Sequence, residues 1–490
     1  MKRRDFCRTS LAASIATAYP FMINAALAQS NIAAIALDGS EIELEQNAIT
    51  ALAKQMTGAL LMQGDMQYDY ARRVWNGMWD RHPALIARCA DTDDVRRAVT
   101  FAAKHGLLTS VRGGGHSWPG KSVCDGGLMI DLAEMNRVAA NPTTRRAHAQ
   151  GGSLLNALDS AALPYGLVTT AGVVSHTGVA GFTLGGGFGR LNRKYGLAVD
   201  NLVSAKLVTA DGEVRTVSED KEPDLFWAIR GGGGNFGVVT EFEFQLHPFN
   251  RNVLSGTMVW PIEQAREVLD FYVGWYAGLS DNLYVGPAMI TMPDGPSVVA
   301  MEVVYAGDPA AGEKELAPLR KIGTPIEDGV KVQDYMVMQT QEDGTFAHGV
   351  RSYAKNGMVK EFTPALVDAL IESFVADPRL MFFTHTSGGA VSRVPELATA
   401  FPHRNAQVMI AVGGGWMDPA MDDEVIATAR QWFGQLEPFV GGYYSNIEFD
   451  STVSATVENY GPAYDRLSRI KAQYDPNNLF RLNRNIEPAG

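Results

Sequence analysis

The chain has 490 residues, which is too long for one ordinary hydrophobic core and predicts two packed regions. Hydrophobic residues make up 46% and charged residues 20%, values typical of a soluble globular protein that argue against extensive disorder. The net charge of −12 provides no general attraction for nucleic acid or anionic membranes, and we expect neither as a partner.

The N-terminus resembles an export signal. Its basic residues are Lys2, Arg3, Arg4 and Arg8. Arg3-Arg4, followed by Asp5-Phe6, resembles a twin-arginine signal, and a mildly apolar stretch extends over residues 11–28. Small residues at its end predict cleavage after Ala28; the alternative, a membrane anchor, is disfavoured by Pro20 and several polar residues. We expect a periplasmic or secreted protein, exported by the twin-arginine route, with no membrane span after cleavage.

The three cysteines, Cys7, Cys89 and Cys124, do not form a metal-binding pattern. The sequence contains no CxxC pair and no Cys/His cluster, and therefore we expect no metal centre. Cleavage after Ala28 would remove Cys7. The other two could pair in an oxidising compartment or remain separate thiols, and the sequence leaves both possibilities open.

From residue 84 onward the chain has an α/β pattern. A strand is predicted over 84–89, followed by a helix over 92–103 with Thr92 or Asp93 as its N-cap. Further strands are predicted over 107–111, 127–132, 203–208 and 238–244. After about residue 250 glycines become sparser, and helices are predicted over 262–279, 363–376 and 421–436. This shift in composition predicts a domain boundary near residue 250.

Two segments match nucleotide-binding motifs, but their contexts are wrong. Residues 115–122 fit the phosphate-binding P-loop pattern, yet a Trp-Pro pair lies inside the loop and a poor helix start follows it. Residues 232–237 fit GxGxxG, yet an alternating strand follows instead of the helix that a Rossmann fold needs. Neither motif therefore predicts its usual function.

The glycines are clustered in five runs within about 130 residues. These runs lie at 112–116, 151–152, 178–181, 185–189 and 231–237. Glycine lets backbone N–H groups approach a phosphate-bearing ligand without obstruction by a Cβ atom. One run would indicate only a turn, but five together predict an extended dinucleotide threaded through the domain.

Several segments together resemble one flavoprotein family. They are 111–117 (VRGGGHS), 172–189 (GVVSHTGVAGFTLGGGFG), 225–230 (LFWAIR), 401–404 (FPHR), 474–480 (YDPNNLF) and 483–486 (NRNI). The combination resembles the berberine bridge enzyme family, a branch of the vanillyl-alcohol-oxidase-type flavoproteins, over roughly residues 80–490. The resemblance implies an α+β fold, in which a two-part PCMH-type FAD-binding domain carries an inserted substrate domain with an antiparallel sheet covered by helices.

The implied domain order follows the predicted boundary. After the signal over 1–28 come an N-terminal segment over 29–79, an FAD-binding domain over 80–250, a substrate-binding domain over 251–450 and a C-terminal segment over 451–490 that returns to the FAD domain.

By this resemblance FAD is the cofactor, bonded to His116 through the flavin 8α-methyl group. The other cofactor-binding residues are Arg112, Gly113, Gly114, Gly115, Ser117, Gly172, Val174, Thr177, Gly178, Gly181, Gly186, Gly187, Gly237, Val238, Asn483 and Asn485. Many relatives add a second bond from a cysteine at the position of Val174, and we therefore expect a single covalent link. Thr177 occupies a position that gates oxygen access, where a small side chain permits oxidase behaviour. The alternative for His116 is a loop histidine that only makes hydrogen bonds.

A catalytic base is harder to assign. Residues 443–446 resemble the Tyr-x-Asn strand that supplies the active-site tyrosine of sugar-oxidising relatives, and we predict Tyr444 as the base, with its neighbour Tyr443 as a second catalytic candidate. Glu448 and Asp450 are alternatives on the same segment. The two tyrosines could equally be strand aromatics that pack a sheet.

Two further positions bear on the substrate. Trp118 stands where relatives place an aromatic side chain in the substrate site, although it could be plain packing. Alkaloid-oxidising relatives carry a carboxylate near positions 392–393, where this chain has Ser392 and Arg393. This departure argues against a close copy of alkaloid chemistry.

The function implied is an FAD-dependent oxidase of a small organic substrate that transfers hydride to flavin N5 and electrons to O₂, giving hydrogen peroxide. A flavin dehydrogenase with another periplasmic acceptor is the main alternative, and a flavin-binding protein without turnover is a third. An alcohol or sugar, an amine and a phenolic compound all remain open as the substrate.

Overall fold

The computed structural model describes residues 31–292, 294–450 and 452–490. The signal predicted over residues 1–28 lies outside them. Within these ranges no helix combines the length and the apolar composition needed to cross a membrane.

The first unit is a small α/β sheet. Its elements are β1 (Ile32–Ile35), β2 (Glu41–Leu44), α1 (Gln46–Gln55), β3 (Ala59–Leu61), α2 (Tyr68–Ala71), β4 (Leu85–Arg88), α3 (Thr92–His105), β5 (Thr109–Arg112) and β6 (Leu128–Asp131). The strand order is β3-β4-β6-β5, with β4, β6 and β5 parallel and β3 antiparallel. Since β3 pairs with β4, this sheet begins well before the boundary predicted at residue 80.

Helix α3 packs its apolar face on this sheet, as its sequence spacing predicts. Val95, Ala98, Val99 and Ala102 are buried in one cluster with residues of β4 and β6. The prediction of Thr92 or Asp93 as N-cap is wrong. Asp91 has the extended cap conformation, and its carboxylate accepts the Asp94 N–H at 2.9 Å.

The second unit is an antiparallel sheet. Its elements are β7 (Val138–Asn141), β8 (Arg146–Gln150), α4 (Leu155–Ala162), β9 (Leu167–Val168), α5 (Val179–Leu184), α6 (Asn192–Tyr195), β10 (Leu202–Val208), β11 (Val214–Ser218), α7 (Pro223–Ile229), β12 (Val238–Gln245) and β13 (His247–Pro248). The strand order is β11-β10-β12-β8-β7. Alternate residues of β12 are buried, as its sequence pattern predicts. No helix follows the glycines over 232–237, which agrees with rejection of a Rossmann motif there.

The third unit carries the largest sheet. Its elements are β14 (Asn252–Pro261), α8 (Ala265–Tyr276), β15 (Leu283–Thr291), β16 (Ser297–Tyr305), α9 (Pro309–Leu316), β17 (Glu327–Asp328), β18 (Lys331–Asp334), α10 (Tyr335–Gln339), β19 (Arg351–Val359), α11 (Pro364–Ala376), β20 (Met381–Thr386), α12 (Ala390–Arg393), β21 (Val408–Trp416) and α13 (Asp422–Leu436). The antiparallel order is β17-β14-β16-β15-β20-β21-β19, with β18 also paired to β14. Helices α8, α11 and α13 cover one face and share its apolar core. This is the expected antiparallel sheet covered by helices, and it begins two residues after residue 250.

The chain then returns to the second unit through α14 (Val453–Tyr460) and α15 (Tyr464–Tyr474). Leu467, Ile470 and Tyr474 on α15 lie in the same buried cluster as Phe226 and Trp227 of α7. The segment after α15, residues 475–486, is called here the C-terminal arm. Its course is fixed by Asn235, whose side chain donates to the Arg484 carbonyl at 2.9 Å and accepts the Ile486 N–H at 3.0 Å.

The prediction of a strand at residues 443–446 is wrong. The Tyr443 N–H donates to Asn459 Oδ1 at 2.7 Å and the Tyr444 N–H to Asn356 Oδ1 at 2.6 Å. Side-chain amides thus take the donors that a strand ladder would use, and residues 441–450 form loop and turn.

Candidate active site

A cavity of about 530 Å³ lies where the first two units, the third unit and the C-terminal arm meet. Its wall includes glycines from the runs at 112–116, 178–181, 185–189 and 231–237, together with strand residues of the largest sheet. Predicted cofactor and catalytic residues that line it are Gly113, Gly114, His116, Ser117, Trp118, Gly172, Val174, Thr177, Gly178, Gly181, Gly237, Val238, Tyr444 and Asn483. The structure therefore brings most of the predicted site into one place.

His116 lies in the wall of this cavity against an aromatic ring. Its imidazole stacks on Trp75, with 4.2 Å between ring centroids and 16° between planes, and His176 lies 5.1 Å from it on centroids. Burial, with a smaller effect of His176 and His348, lowers the pKa of His116 to about 3. The ring is therefore neutral at physiological pH. Its buried Nε2 atom has no hydrogen-bond partner within the described chain, which fits a group bonded to another molecule.

Glycines shape the cavity around His116. A Cβ atom on Gly114 would lie 2.4 Å from the Gly178 Cα atom, so two glycine-rich loops meet at a distance that no side chain permits. A Cβ on Gly181, in contrast, would meet nothing within 4 Å. The close approach of Gly114 to Gly178 holds the two loops together. Gly181, in contrast, leaves open space that a long flat ligand can occupy. These residues fit FAD.

The C-terminal arm closes another side of the cavity. The Lys121 ammonium group donates a hydrogen bond to the Asn483 carbonyl at 2.8 Å, and both residues line the cavity. Burial, and secondarily Arg484 and Arg81, lower the pKa of Lys121 to about 8. Sequence reasoning noticed Lys121 only in the rejected P-loop match. Its position shows that it belongs to the cavity, not to a phosphate loop.

Tyr444 points its phenol into the cavity next to the glycine-rich loop. The phenol oxygen accepts the Gly187 N–H at 3.2 Å and the Asn446 side-chain N–H at 2.7 Å. Burial raises the pKa of Tyr444 to about 12. Because donors occupy the acceptor side of this oxygen, its own hydrogen is directed elsewhere. The phenol therefore holds a proton at a defined atom, and only its deprotonated form can take one up.

The other candidates for a base are placed differently. The Tyr443 hydroxyl lies 3.4 Å from Thr456 Oγ1 and outside the cavity lining. Glu448 bonds Lys355 at 3.1 Å, and Asp450 pairs with Arg430 at 2.8 Å. Neither carboxylate lines the cavity. Tyr444 and Trp118 are the members of the predicted catalytic set that do.

The remaining predicted cofactor residues lie outside the cavity lining. They are Arg112, Gly115, Gly186, Gly187 and Asn485, none of which lines the cavity. Arg112 pairs with buried Asp131 at 3.0 Å and donates to the Ala71 carbonyl, which holds the first sheet in place. Gly115 accepts the Trp75 N–H at 2.9 Å through its carbonyl, and the Gly187 N–H is used by Tyr444. For these positions a direct contact with the cofactor stays a prediction.

Sequence reasoning missed four residues of the cavity wall. Arg190 of the second unit and Glu302, Glu342 and His385 of the third unit all line the cavity. Apart from Arg190, which follows the GGGFG run directly, they belong to no motif. Their shared site appears only when the large sheet is folded over the glycine-rich loops. Alternation along β16 and β20 is the one signal that could have placed Glu302 and His385 on one face.

The two cysteines of the described chain are separate. Cys89 and Cys124 are both buried and free. Burial raises the pKa of both thiols, so neither is activated for nucleophilic chemistry. Among the described residues no group of three or more His, Cys, Asp and Glu side chains could hold a metal ion.

The fold and the cavity together define an FAD-linked oxidoreductase. A sequence model described as FAD binding domain matches residues 83–218, and one described as berberine and berberine like matches residues 443–487. The chain is 32% identical over 458 residues to (R)-6-hydroxynicotine oxidase of Paenarthrobacter nicotinovorans, covering 88% of this chain and 97% of the relative. An FAD-linked oxidoreductase of Dictyostelium discoideum is 30% identical over 450 residues, covering 90% and 97%.

Solved structures agree with the sequence comparisons. A 6-hydroxy-D-nicotine oxidase from Arthrobacter nicotinovorans superposes with a TM-score of 0.81 at 31% identity, covering 89% of this chain and 99% of that one. A chitooligosaccharide oxidase gives a TM-score of 0.81 at 25% identity, covering 90% and 100%. The chain belongs to the berberine bridge enzyme-like family of FAD-linked oxidoreductases, and the expected PCMH-type α+β fold is confirmed.

Proposed function

We propose that this protein is an oxidase that carries FAD on His116 through a single covalent bond, oxidises a small organic substrate and passes the electrons to O₂ with formation of hydrogen peroxide. The observation that supports it most is the neutral imidazole of His116, whose buried Nε2 atom has no hydrogen-bond partner within the described residues, in the wall of the glycine-lined cavity. FAD, when bound, supplies the hydride acceptor.

His116 is suited to carry the cofactor. Trp75 fixes the plane of the imidazole by stacking, and burial keeps it neutral and nucleophilic. Val174 is buried in the cavity wall where a second bond would need a thiol, and neither Cys89 nor Cys124 lines the cavity. These features support one attachment point.

The residues of the chain also divide the remaining tasks. Tyr444 is our candidate for the group that takes up the substrate proton; because its pKa is raised to about 12, it does so from the small fraction of molecules in which it is a phenolate. Trp118 lines the cavity and offers an apolar face to a substrate. Thr177 lines the cavity beside Gly178 with a small side chain, which favours access of O₂.

The first experiment is acid precipitation of the purified protein, with visible spectra of pellet and supernatant. Yellow colour should stay with the wild-type pellet and be absent from the pellet of His116→Ala. His148→Ala, which alters an exposed histidine on β8, is the matched control and should retain the colour. A wild-type pellet without flavin would contradict the covalent link.

Electron acceptor and substrate are tested separately. Oxygen consumption matched by peroxide release during turnover supports the oxidase. Turnover that requires an added dye, with no oxygen consumption, would instead establish the dehydrogenase. The relatives named for nicotine and for chitooligosaccharide oxidation suggest amines and sugars as the first compounds to screen.

Export is a further part of the proposal. The twin-arginine pattern at Arg3-Arg4 supports transport of the folded, cofactor-loaded protein to the periplasm. Replacing both residues by lysine should leave active flavoprotein in the cytoplasm, measured by cell fractionation. An unchanged distribution would contradict this route.

A further inference from the structure

Strand residues of the largest sheet form one wall of the cavity, opposite the face covered by helices. Glu302 on β16 is flanked across the sheet by Thr257 on β14 and Gly286 on β15, and all three line the cavity. Ala300, two residues along the same strand, faces the cavity as well. Because its neighbours are small, the carboxylate of Glu302 projects from a shallow part of the wall.

The carboxylate of Glu302 is held on one oxygen only. Its Oε1 atom lies 2.7 Å from Arg190 Nε and 2.6 Å from Arg190 Nη2, and it accepts from Gln341 Nε2 at 3.1 Å. The Arg190 side chain has no exposed surface, whereas 22% of the Glu302 side chain remains accessible. Within the described residues no hydrogen bond to the second oxygen, Oε2, is present, and Glu302 lines the cavity.

Arg190 connects this carboxylate to the glycine-rich loop. Its Nη1 atom donates to the Val173 carbonyl at 3.2 Å and to Gln339 Oε1 at 3.3 Å. Gln339 in turn donates to the Gly172 carbonyl at 3.0 Å. Since Gly172 and Val173 line the cavity, the position of Glu302 is fixed relative to the loop that surrounds the cofactor space.

The groups around Glu302 favour a ligand that donates a hydrogen bond and disfavour a ligand that carries a carboxylate. Glu342 places a second carboxyl group in this part of the cavity, and burial, with the nearby Glu302, raises its pKa. His385 is neutral, because burial and then Arg190 lower its pKa to about 4. Phe383 on β20 and Phe188 of the glycine-rich segment both add aromatic surface to the lining of the cavity. A ligand in this part of the cavity meets apolar rings and the fixed carboxylate of Glu302. The Arg190 guanidinium is already paired with that carboxylate.

We propose that Glu302 is the specificity-determining residue of this site, and that its Oε2 atom accepts a hydrogen bond from an amine or hydroxyl group of a compact, non-acidic ring compound. The inference rests on the oxidase function proposed for the same cavity. It adds what that function leaves open, namely which functional group the substrate must carry and which it must not.

The test compares three ligands that share one ring: benzylamine, benzyl alcohol and benzoate. Binding to the full-length holoprotein is measured by anaerobic titration calorimetry at pH 7. Wild type should bind benzylamine or benzyl alcohol at least about tenfold more tightly than benzoate, because a charged hydrogen bond gained or a repulsion avoided corresponds to a factor of this size. Glu302→Ala should reduce or abolish this discrimination, and Glu302→Gln should do so where the bound donor is an ammonium group.

The two donor classes are distinguished by the same variant. A loss of about tenfold or more for benzylamine with a smaller change for benzyl alcohol identifies the ammonium, because glutamine keeps an acceptor but not the charge. A preference for benzyl alcohol retained in Glu302→Gln and lost in Glu302→Ala identifies the hydroxyl. Benzoate bound as tightly as both donors by the wild type, or binding of none of the three, would overturn the proposal.

Two controls keep the result interpretable. Glu437→Gln changes an exposed glutamate after α13 and should bind all three ligands as wild type does. If Glu302→Gln fails to fold because Arg190 is left unpaired, the double variant Arg190→Met/Glu302→Met removes both charges together. A retained preference for donors in the folded double variant would also refute the role of Glu302. Calorimetry does not require turnover, so loss of the proposed oxidase activity and loss of ligand selectivity are separate outcomes.

Discussion

Replacing Tyr444 by phenylalanine should separate proton handling from cofactor binding. The substitution removes one oxygen that accepts hydrogen bonds from Gly187 and Asn446 and leaves the ring against Phe188, 5.0 Å away on centroids. Loss of one positioned acid–base group lowers a rate by about 10²–10⁴-fold. We expect kcat/KM to fall within this range, with flavin content unchanged.

The cost in stability should be small by comparison. Gly187 loses the acceptor of its buried N–H group, which corresponds to about 1–3 kcal/mol. For a chain of this size that is a fall of a few degrees in Tm. Full flavin content, a slightly lower Tm and a large loss of rate would together assign the phenol to chemistry and not to folding.

The assay is anaerobic flavin reduction in a stopped-flow instrument, with a substrate found by peroxide screening. Because the pKa of Tyr444 is about 12, the fraction of phenolate rises tenfold for each unit by which the pH increases, as long as the pH stays below the pKa. Wild-type kcat/KM should therefore rise with pH across the stable range, and Tyr444→Phe should flatten the profile. Tyr443→Phe is the matched control, since its hydroxyl lies outside the cavity lining, and should change the rate less than about threefold.

A result in the opposite order would refute the reasoning. If Tyr444→Phe reduces flavin within about threefold of the wild-type rate, the phenol is not the proton acceptor. If Tyr443→Phe shows the large loss instead, Tyr443 and not Tyr444 is the proton acceptor.

Three more predictions concern the cofactor bond and the stability of the fold. Val174→Cys places a thiol at the position of the second flavin bond of relatives and should add a second covalent link, measured as FAD that stays with His116→Ala/Val174→Cys after acid precipitation; a colourless pellet would refute it. Asp159 is buried on α4, and burial raises its pKa to about 7. The stability that depends on its proton is therefore complete below about pH 4 and is lost as the pH rises through about 7. Asp159→Asn should raise Tm by several degrees at about pH 8 and hardly at about pH 4, and equal shifts at both pH values would contradict this. Arg404 pairs with Asp200 through both carboxylate oxygens, at 2.7 and 2.8 Å. Arg404→Met should cost about 3–5 kcal/mol in denaturant unfolding, because the Asp200 carboxylate, only 9% accessible, loses its charged partner and keeps the Leu197 N–H as its donor; a cost under about 1 kcal/mol would refute it.

Local sequence signals predicted the parts of the fold that are governed by local interactions. Apolar spacing placed α3 and β12 within about two residues, because burial of one face selects the period. The N-cap of α3 was displaced by one residue because three consecutive residues could each act as a cap, and only the backbone conformation of Asp91 decides among them. The strand predicted at residues 443–446 failed because Asn356 and Asn459, distant in sequence, take its backbone donors.

The site divides in the same way. The glycine-rich loops and His116 carry a dense local pattern, and the cavity gathers nearly all of them. Glu302, His385 and Glu342 lie in segments with no motif, and their relation to Arg190 depends on how the large sheet docks on the loops. Such long-range contacts leave no trace at a fixed spacing in one sequence. The substrate end of the cavity was therefore the part that required the structure.

The C-terminal arm has a consequence for the order in which the protein is made. Asn483 and Arg484 complete the cavity wall, and Asn235 secures the arm, yet these arm residues are translated after every other residue of the site. A half-made chain that already contains His116 and all the glycine-rich loops therefore still lacks one side of the cofactor space. A ligand in this cavity can therefore be fully enclosed only after the arm has been translated and has docked on Asn235.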